Sequence, residues 1–347
     1  MFKHILLTGG SGFIGSNFVR FVLGARPGVK IANLDALTYS GNPENLADLE
    51  GDSRYAFIKG DICDAPLMEK LITQGGCDAV VHMAAESHVD RSILDAGPFI
   101  RANTMGTQVL LDVLRRMQVA GKKPPRFLYV STDEVYGSLP LEDKSQLFTE
   151  ETPLQPNSPY SASKAGGDCL VRAYYHTFGL DLVTTRCSNN FGPYQFPEKV
   201  IPLFVTNLIE GNQVPLYGDG KNVRDWLHVE DHCEAILTVL EKGKAGEVYN
   251  VGGNNERSNL ELTHSILKIM GKGPEMIRPV EDRLGHDRRY AIDASRIKRD
   301  LGWQPTRSAW PRALEETVKW YKDNEKWWRH VKSGEYRAFY EKQYGKG

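Results

Sequence analysis

Residues 4–15 read HILLTGGSGFIG, and this stretch decides the fold at the start of the chain. The apolar run Ile5–Leu7 predicts a strand buried on both faces, and a helical pattern begins among the glycines that follow. Three of these glycines lie three positions apart, at Gly9, Gly12 and Gly15. The first permits a tight turn, the second lets a pyrophosphate approach the backbone, and the third lets helix and strand pack closely. The stretch therefore predicts a strand, a dinucleotide-binding turn and a helix.

The first half of the chain alternates short apolar runs with helical patterns. The runs are rich in Val, Ile and Leu, which is typical of strands in a parallel sheet covered on both faces. The predicted strands are His4–Thr8, Lys30–Asp35, Tyr55–Lys59, Ala79–Met83, Phe127–Ser131 and Asp181–Arg186, and the predicted helices are Phe13–Leu23, Ala65–Gln74, Pro98–Val119 and Tyr160–Phe178. This alternation predicts an α/β fold with a Rossmann-type, doubly wound parallel sheet.

The sequence changes character near residue 191, where Pro, Gly, Asn and charged residues become frequent. We expect a nucleotide-binding domain over residues 1–190 and a smaller, irregular substrate lobe mainly over residues 191–347, with the chain free to cross between them. Such a lobe would close a cleft at the carboxyl ends of the strands, where ligands of these sheets bind. Five tryptophans are expected to pack in the core against this lobe: Trp303, Trp310, Trp320, Trp327 and Trp328.

The composition is that of an ordinary globular chain. Of its 347 residues, 41% are hydrophobic and 25% are charged, and the net charge is −1. This balance provides no field that would attract nucleic acid or a membrane surface. The 5 cysteines form no C-x-x-C pair, and the 9 histidines form no H-E-x-x-H motif. We therefore expect no disulfide framework, no metal site and a cytoplasmic location.

A carboxylate at Asp35 indicates which dinucleotide the glycine turn would hold. Asp35 ends the second predicted strand, where it can accept hydrogen bonds from both adenosine ribose hydroxyls and repel a 2′-phosphate. Leu37 and Thr38 follow, without an arginine that could hold such a phosphate. The sequence therefore favours NAD over NADP. Further predicted cofactor contacts are Phe13 and Ile14 at the start of the helix, with Asp61 and Ile62 after the third strand as weaker candidates near the adenine.

Tyr160 and Lys164 lie four residues apart in the segment YSASK, on a predicted helix. This spacing places both side chains on one face of the helix. A nearby ammonium stabilises a tyrosinate and lowers the pKa of the phenol from its usual value of about 10. The pair is therefore a candidate general base, which would take the proton from an alcohol as hydride leaves for NAD.

Several segments resemble the extended short-chain dehydrogenase/reductase family. They are the glycine turn, Met83-Ala84-Ala85, Ser131-Thr132, and Tyr160 with Lys164. Longer segments are similar to the 4,6-dehydratases of that family whose substrate is dTDP-glucose: LTYSGN at 37–42, AAESHVDRS at 84–92, STDEVYG at 131–137, CSNNFGPY at 187–194, PEK at 197–199, RDW at 224–226 and GHDRRY at 285–290. The sequence departs from the family at Phe191, where Tyr is usual, and at Leu284. The resemblance spans nearly the whole chain.

The resemblance implies a dehydration in three steps. Tyr160 and Thr132 would serve oxidation at C4 of the sugar. Glu134 would then take the C5 proton while Asp133 protonates the leaving C6 hydroxyl, and hydride would return to C6. Two carboxyls with separated pKa values suit such work. The other interpretation is that Asp133 and Glu134 are two solvated carboxylates in a loop.

The resemblance also implies the residues that contact the ligands. Those expected around the sugar and diphosphate are Ser87, Asn189, Lys199, Val200, Arg224, Asn259, Arg283 and His286, those expected near the nucleobase are Pro215, Tyr217 and Tyr344, and those expected on the cofactor side are Met83, Ala84, Ala85 and Asn190. Arginine can bind a diphosphate through two parallel hydrogen bonds. Ordinary surface charge is the other interpretation of each single cation.

Two other functions are compatible with the predicted fold. A nucleotide-sugar 4-epimerase would share the cofactor turn and the Tyr160–Lys164 pair, but it would not need Asp133 and Glu134. A non-catalytic NAD-binding protein would be expected to lack the Tyr160–Lys164 pair. The sequence therefore favours the dehydratase.

The family resemblance further implies a homodimer, paired through the helices Pro98–Val119 and Tyr160–Phe178. These segments carry more apolar residues than one helix face turned towards the sheet would need. The residues are Leu110, Leu111, Leu114, Leu170, Val171 and Tyr174.

Overall fold

A computed structural model describes residues 2–333 of the chain. At its centre is a seven-stranded sheet in which every pair of neighbouring strands is parallel. Its strands, in chain order, are β1 (His4–Thr8), β2 (Lys30–Asp35), β3 (Tyr55–Lys59), β4 (Ala79–His82), β5 (Arg126–Thr132), β6 (Leu182–Cys187) and β10 (Val248–Val251). They lie in the order β10-β6-β5-β4-β1-β2-β3. This is the doubly wound arrangement that the sequence predicts, with one more strand at the β6 edge.

Helices cover both faces of the sheet because its strands are apolar on both faces. One face packs against α1 (Phe13–Ala25), α8 (Val229–Lys242) and α10 (Ser295–Leu301). The other face packs against α2 (Ala65–Gln74), α5 (Thr107–Val119) and α6 (Pro159–Phe178). Short helices α3 (Val89–Leu94) and α4 (Gly97–Phe99) precede α5, and a 3-10 helix spans Pro43–Leu49.

All six predicted strands are present, with ends within one residue of those observed. The segment predicted as one helix over Pro98–Val119 is divided, since Ile100–Gly106 forms a wider π-helix before α5. Tertiary hydrogen bonds accompany this change: the Asn103 side chain donates to the Glu86 carbonyl at 2.9 Å and to the Ser163 hydroxyl at 2.8 Å. The local pattern could not predict these distant partners.

The second half of the chain forms the rest of the molecule around two small sheets. One sheet contains β11 (Glu256–Ser258), β9 (Val223–His228) and β7 (Asn189–Phe191), and the other contains β12 (Ile277–Val280) and β8 (Val214–Tyr217). The helices here are α7 (Val200–Ile209), α9 (Asn259–Met270), α11 (Arg312–Asp323) and α12 (Glu325–Lys332), with a 3-10 turn at Pro274–Met276. Because β10, α8 and α10 return to the large sheet, the chain crosses between the two parts. The boundary near residue 190 stays a prediction.

The tryptophans pack in the core as predicted, although they divide between two hydrophobic clusters. Trp328 is fully buried with α7, α9 and α11, and Trp310, Trp320 and Trp327 pack around that cluster. Trp303 instead packs in the core of the large sheet. Among the described helices, none combines the length and the hydropathy that crossing a bilayer requires.

Candidate active site

A cleft of about 410 Å³ opens at the carboxyl ends of the parallel strands. The sequence-predicted cofactor residues line it, except Leu37: Gly9, Gly12, Phe13, Ile14, Gly15, Asp35, Thr38, Asp61, Ile62, Met83, Ala84, Ala85, Tyr160, Lys164 and Asn190. Leu37 lies on the wall of a neighbouring pocket, which also contains Thr38. The segments that follow six strands, β1 to β6, therefore come together at one edge of the sheet.

Each glycine of the turn meets a different steric condition. Gly9 has φ +79°, and a Cβ there would lie 2.6 Å from the Ala84 nitrogen. A Cβ at Gly15 would lie 2.2 Å from the Gly9 carbonyl oxygen, so α1 can approach β1 only without a side chain. A Cβ at Gly12 would meet only the Gly9 oxygen, at 3.4 Å. The protein itself thus tolerates a Cβ at Gly12, which would lie beside the open cleft.

The start of α1 fits the phosphates of a dinucleotide. Its N-cap is Gly12, and no side chain caps the helix. The helix end therefore offers N–H groups and its positive dipole to the cleft that Gly12 lines. The residues present fit NAD on this ground.

Asp35 is fixed where it can meet a ribose. One carboxylate oxygen accepts a hydrogen bond from the Ser11 N–H at 2.9 Å, and the other accepts one from the Leu37 N–H at 2.8 Å. Burial raises the pKa of this carboxyl, while the two N–H groups oppose the change. Each oxygen retains a lone pair for a further donor, so Asp35 can still accept hydrogen bonds from hydroxyls in the cleft.

Helix α6 carries Tyr160 and Lys164 into the cleft. A capping box between Ser158 and Ser161 fixes the start of the helix. The Lys164 ammonium donates to the Val130 carbonyl at 2.8 Å, and burial lowers its pKa to about 8. The helix thus carries both residues into the cleft, and the hydrogen bond of Lys164 places its ammonium beside the end of β5.

The pKa of Tyr160 differs from the sequence-based expectation. We expected Lys164 to lower it, but in the protein chain alone burial and the Glu134 carboxylate raise it well above its usual value. A hydrogen bond with the Thr132 side chain opposes this change. The physical reason is that burial penalises the charged phenolate and the Glu134 carboxylate repels it, while the Lys164 ammonium donates to the Val130 carbonyl.

Asp133 and Glu134 begin a 3-10 turn, Asp133–Tyr136, directly after β5. The Thr132 hydroxyl accepts the Glu134 N–H at 3.3 Å and so caps this turn. Burial raises the pKa of Asp133 well above its usual value, and the carboxyls of Glu134 and Asp225 add to the effect. Burial also raises the pKa of Glu134, but Arg283, Arg224 and Lys199 oppose it. Burial therefore favours the protonated form of both carboxyls, and three nearby cations oppose this effect at Glu134.

These two carboxyls are not a solvated loop pair. Asp133 is 1% exposed, and its Oδ2 makes no hydrogen bond to any described residue. Glu134 lines the cleft together with Thr132, Tyr160 and Lys164. The structure thus brings Glu134 to the tyrosine–lysine pair, whereas Asp133 is buried beside Glu134 and does not line the cleft.

The predicted substrate residues fall into two groups. Ser87, Thr132, Asn189 and Lys199 line the cleft, and the Lys199 ammonium donates to the Ser87 carbonyl at 2.8 Å. Arg224 and Arg283 lie outside its walls but close enough to act on the charge of Glu134. The described residues Val200, Pro215, Tyr217, Asn259 and His286 also lie outside the walls, and Tyr344 is outside the described part of the chain.

An acidic residue, Asp90, connects members of the outer group. It accepts a hydrogen bond from the Tyr217 hydroxyl at 3.3 Å, and it lies 3.6 Å from the Arg283 guanidinium. The Tyr217 ring also lies 6.1 Å from the His286 ring, edge to face. Asp90 therefore joins Tyr217 to Arg283, which acts on the charge of Glu134.

Sequence reasoning missed several residues of the cleft wall, among them Tyr39, Glu86, Cys187, Phe196 and Glu198. Glu198 is nearly buried, 3.5 Å from Arg91, and burial raises its pKa to about 7. Each of these residues except Phe196 lies in a segment on which the resemblance depends, which was the available signal.

Comparison with known proteins agrees with this geometry. The model of the GDP-mannose 4,6 dehydratase family matches residues 6–313. A dTDP-glucose 4,6-dehydratase of Streptomyces niveus is 53% identical, over 95% of this chain and 96% of that protein. The crystal structure of a dTDP-glucose 4,6-dehydratase from Streptomyces venezuelae, with NAD and TYD bound, is 51% identical with a TM-score of 0.89, over 95% of this chain and 100% of that one. The chain belongs to the dTDP-glucose 4,6-dehydratase family.

The dTDP-glucose 4,6-dehydratase family shares its fold with 4-epimerases. The UDP-glucose 4-epimerase of Thermotoga maritima is 28% identical, with a TM-score of 0.82 over 93% of this chain and 100% of that one. The fold alone therefore does not separate the two activities, and the acid–base residues of the cleft must do so.

We predict that Asp133→Asn makes the folded protein more stable at about pH 8 than the wild type. Because burial raises the pKa of Asp133, ionisation is harder in the folded chain than in the unfolded chain. The resulting loss of stability begins above the ordinary aspartate pKa of about 3.9 and grows as pH rises towards the folded value. Thermal melting measured from about pH 4 to about pH 8 should show a gain that increases with pH.

Asp143→Asn is the control, since this exposed carboxyl has a pKa lowered by the Ser145 and Gln146 side chains. It should show a small effect of opposite sign. A gain for Asp133→Asn that is independent of pH would contradict a raised pKa.

Proposed function

We propose that this protein removes water from dTDP-glucose in an NAD-dependent lyase reaction that yields dTDP-4-keto-6-deoxyglucose. The observation that carries the proposal is that Thr132, Glu134, Tyr160 and Lys164 line one cleft, with the buried Asp133 next to Glu134 in the chain. Tyr160 and Lys164 suit the oxidation of an alcohol, and Asp133 with Glu134 suits elimination across an adjacent bond. The relatives named as dTDP-glucose 4,6-dehydratases, about half identical over nearly the whole chain, support the same reaction.

NAD is the proposed cofactor. A structure of the Bacillus anthracis relative contains NAD, and here the glycine turn and the start of α1 fit its phosphates. Asp35 would hold the adenosine ribose and disfavour NADP. When bound, NAD accepts a hydride and brings a positive charge towards the phenol of Tyr160. That charge would oppose the effect of burial and Glu134 on the pKa of Tyr160.

In the first step Tyr160 acts as the base. Its phenolic oxygen takes the proton of the C4 hydroxyl while the C4 hydride leaves. Thr132, which hydrogen-bonds the Tyr160 side chain, would also bond the C4 oxygen. The Lys164 ammonium is held on the same helix one turn away, where its charge favours the tyrosinate.

In the second step the two carboxyls divide the work. Glu134 takes the C5 proton, which the C4 ketone has made acidic, and the electron pair forms a C5–C6 double bond. The C6–O bond breaks, and the Asp133 proton leaves with that oxygen as water. The stronger upward effect on the pKa of Asp133 supports Asp133 as the acid and Glu134 as the base. Hydride then returns to C6 and a proton to C5.

Cations beside the cleft would hold the diphosphate. Lys199 lines the cleft, and Arg224 and Arg283 lie near Glu134. Burial lowers the pKa of His286 to about 4, so this ring would contact the substrate as a neutral group. Pro215 and Tyr217 are the proposed nucleobase contacts.

A 4-epimerase is the second candidate, favoured only by the shared fold of the Thermotoga maritima enzyme. Epimerisation needs oxidation and reduction at C4 and no acid for a leaving hydroxyl. Epimerisation therefore does not explain the buried Asp133 carboxyl beside Glu134, whose pKa burial raises well above its usual value.

All five cysteines are free, which supports a reducing compartment, and we propose the cytoplasm.

We also propose a homodimer, on a corrected basis. Leu110, Leu111 and Leu114 are fully buried beneath the sheet, and Val171 is nearly so, so none of them can form a contact between subunits. Other apolar side chains on the same two helical segments are exposed instead. These are Met105 at 51%, Val119 at 78% and Phe178 at 38%, beside the partly buried Leu170 and Tyr174.

The test of the proposed function is to incubate the purified protein with dTDP-glucose, without added reductant, and to measure loss of one water by mass spectrometry. Glu134→Gln removes the base, so exchange of the C5 proton with solvent should fall at least ~10²-fold while NADH still forms. Asp133→Asn removes the acid but keeps the base, so it should retain C5 exchange and lose water elimination.

Glu69→Gln, at an exposed carboxyl on α2, is the matched control and should behave as the wild type. If the wild type returns an epimer of the same mass, or if both site variants still lose water at the normal rate, the dehydratase is the wrong function.

For the dimer, light scattering of the wild type at micromolar concentration should give twice the chain mass of 39.0 kDa. The double variant Met105→Lys/Phe178→Lys should shift this towards 39.0 kDa, because two charges would be buried in the contact. Leu147→Lys, at an exposed site outside these helices, should leave the mass unchanged. A wild type that is monomeric at this concentration would rule out the proposal.

A further inference from the structure

Behind the cleft, Asp168 and Arg186 form a buried ion pair. The Arg186 Nε lies 2.8 Å from Asp168 Oδ1, and the two side chains are 8% and 2% exposed. Asp168 lies on α6, one helical turn after Lys164, and Arg186 lies on β6. Sequence reasoning singled out neither residue. Because a buried charge is costly unless it is paired and hydrogen-bonded, the other contacts of this pair need an explanation.

Arg186 reaches a second element through its other arm. Its Nη1 donates to the Tyr136 hydroxyl at 3.0 Å, and this hydroxyl donates to the Asn250 side chain at 2.7 Å. Tyr136 is the last residue of the 3-10 turn that begins with Asp133 and Glu134. Its ring stacks on Phe148, with centroids 5.1 Å apart. Arg186 therefore connects α6 directly to the turn that carries the two carboxyls.

Asp168 closes the same network on the other side. Its second oxygen accepts a hydrogen bond from the Ser131 hydroxyl, and Ser131 comes directly before Thr132 and Asp133. The Lys164 ammonium, one turn earlier on α6, donates to the carbonyl of Val130. Helix α6 is thus joined to the end of β5 at two successive residues, and through Arg186 to the far end of the 3-10 turn.

We propose that Arg186 and Tyr136 are positioning residues. They hold the turn that carries Asp133 and Glu134 at a fixed position relative to the helix that carries Tyr160 and Lys164. The proposal rests on the proposed function, in which the two groups act in succession on neighbouring carbons of one sugar. Neither Arg186 nor Tyr136 lines the cleft, so both would act through the residues that do. A displacement of about 1 Å can slow a step by about 10²-fold, so a fixed distance between turn and helix has a kinetic consequence.

The geometry requires an arginine and a tyrosine. The rigid guanidinium fork donates to Asp168 and Tyr136 together, whereas the single ammonium of a lysine has no such fixed directions. The Tyr136 hydroxyl donates a hydrogen bond to the Asn250 side chain, which itself donates to the Phe148 carbonyl at 3.0 Å. The 3-10 turn is thus held against two further parts of the chain.

Two conservative variants test the proposal. Tyr136→Phe keeps the ring on Phe148 and removes only the hydroxyl that Arg186 contacts. Arg186→Lys keeps a positive charge beside Asp168 and removes the fork. Stopped-flow NADH absorbance measures oxidation at C4, and mass spectrometry of quenched samples measures water loss. In both variants oxidation should stay within about 3-fold of the wild type, while water loss slows by about 10-fold or more and NADH accumulates.

Tyr249→Phe is the matched control. It removes the hydroxyl of another buried tyrosine, which comes directly before Asn250 in the chain. The Tyr249 hydroxyl accepts a hydrogen bond from the Lys244 N–H at 3.1 Å. This variant should leave the ratio of the two rates unchanged. Melting temperature and bound NAD are measured for all three variants. These measurements distinguish a loss of folding from a change in the relative position of the turn and the helix. If Arg186→Lys does not fold, Tyr136→Phe decides the question.

The outcomes are distinct. A wild type that forms no dehydrated product overturns the proposed function. If the wild type dehydrates and Tyr136→Phe slows oxidation and water loss equally, or slows neither, then the network has only a structural role and the positioning proposal is wrong. Selective slowing of water loss, absent in Tyr249→Phe, supports it.

Discussion

Helix α1 approaches strand β1 so closely at Gly15 that a single methyl group would overlap the Gly9 carbonyl, and the rest of the site depends on this contact. It places the first turn of the helix over the edge of the sheet, where β1 ends. Parallel strands all end at that edge, so the segments that follow β2 to β6 meet there as well. One steric constraint thus fixes the cofactor turn, and the parallel sheet brings the reactive side chains to it.

The ionisable groups buried in and beside the cleft lower the stability of the fold. Asp133, Glu134 and Lys164 have pKa values displaced by burial, each towards its uncharged form. Such groups weaken a fold unless other contacts compensate, and they are typical of sites where protons move. The compensating contacts include the Lys164–Val130 bond and the Asp168–Arg186 pair, which also fix the reactive groups in place. The same interactions therefore support both the fold and the geometry of the site.

The sequence predicts much of this arrangement because its signals are local. Five of the six predicted strands are largely buried and rich in apolar residues, and the glycine turn follows the first of them directly. The sixth, β3 at the edge of the sheet, is mostly exposed, although its sequence resembles that of the buried strands. The sequence carries no local signal for features that depend on residues distant in the chain. The π-helix at Ile100–Gly106, the return of β10 to the large sheet and the fork of Arg186 all depend on partners far away in the chain. Leu110 and its neighbours were expected to be available for a subunit contact, but they face the sheet, because tertiary packing decides which side of a helix is buried. The pKa of Tyr160 likewise depends on burial and on Glu134, which belongs to another element.

The central claim is that one cleft oxidises, dehydrates and reduces a single bound sugar before releasing it. The most direct measurement follows a label: dTDP-glucose with deuterium at C4 is mixed with dTDP-glucose that carries ¹³C in the sugar and no deuterium. The product should have lost water and should carry deuterium at C6 in the ¹²C molecules alone. Deuterium in the ¹³C product, its complete loss to solvent, or its retention at C4 in a sugar that keeps its C6 hydroxyl would contradict the account.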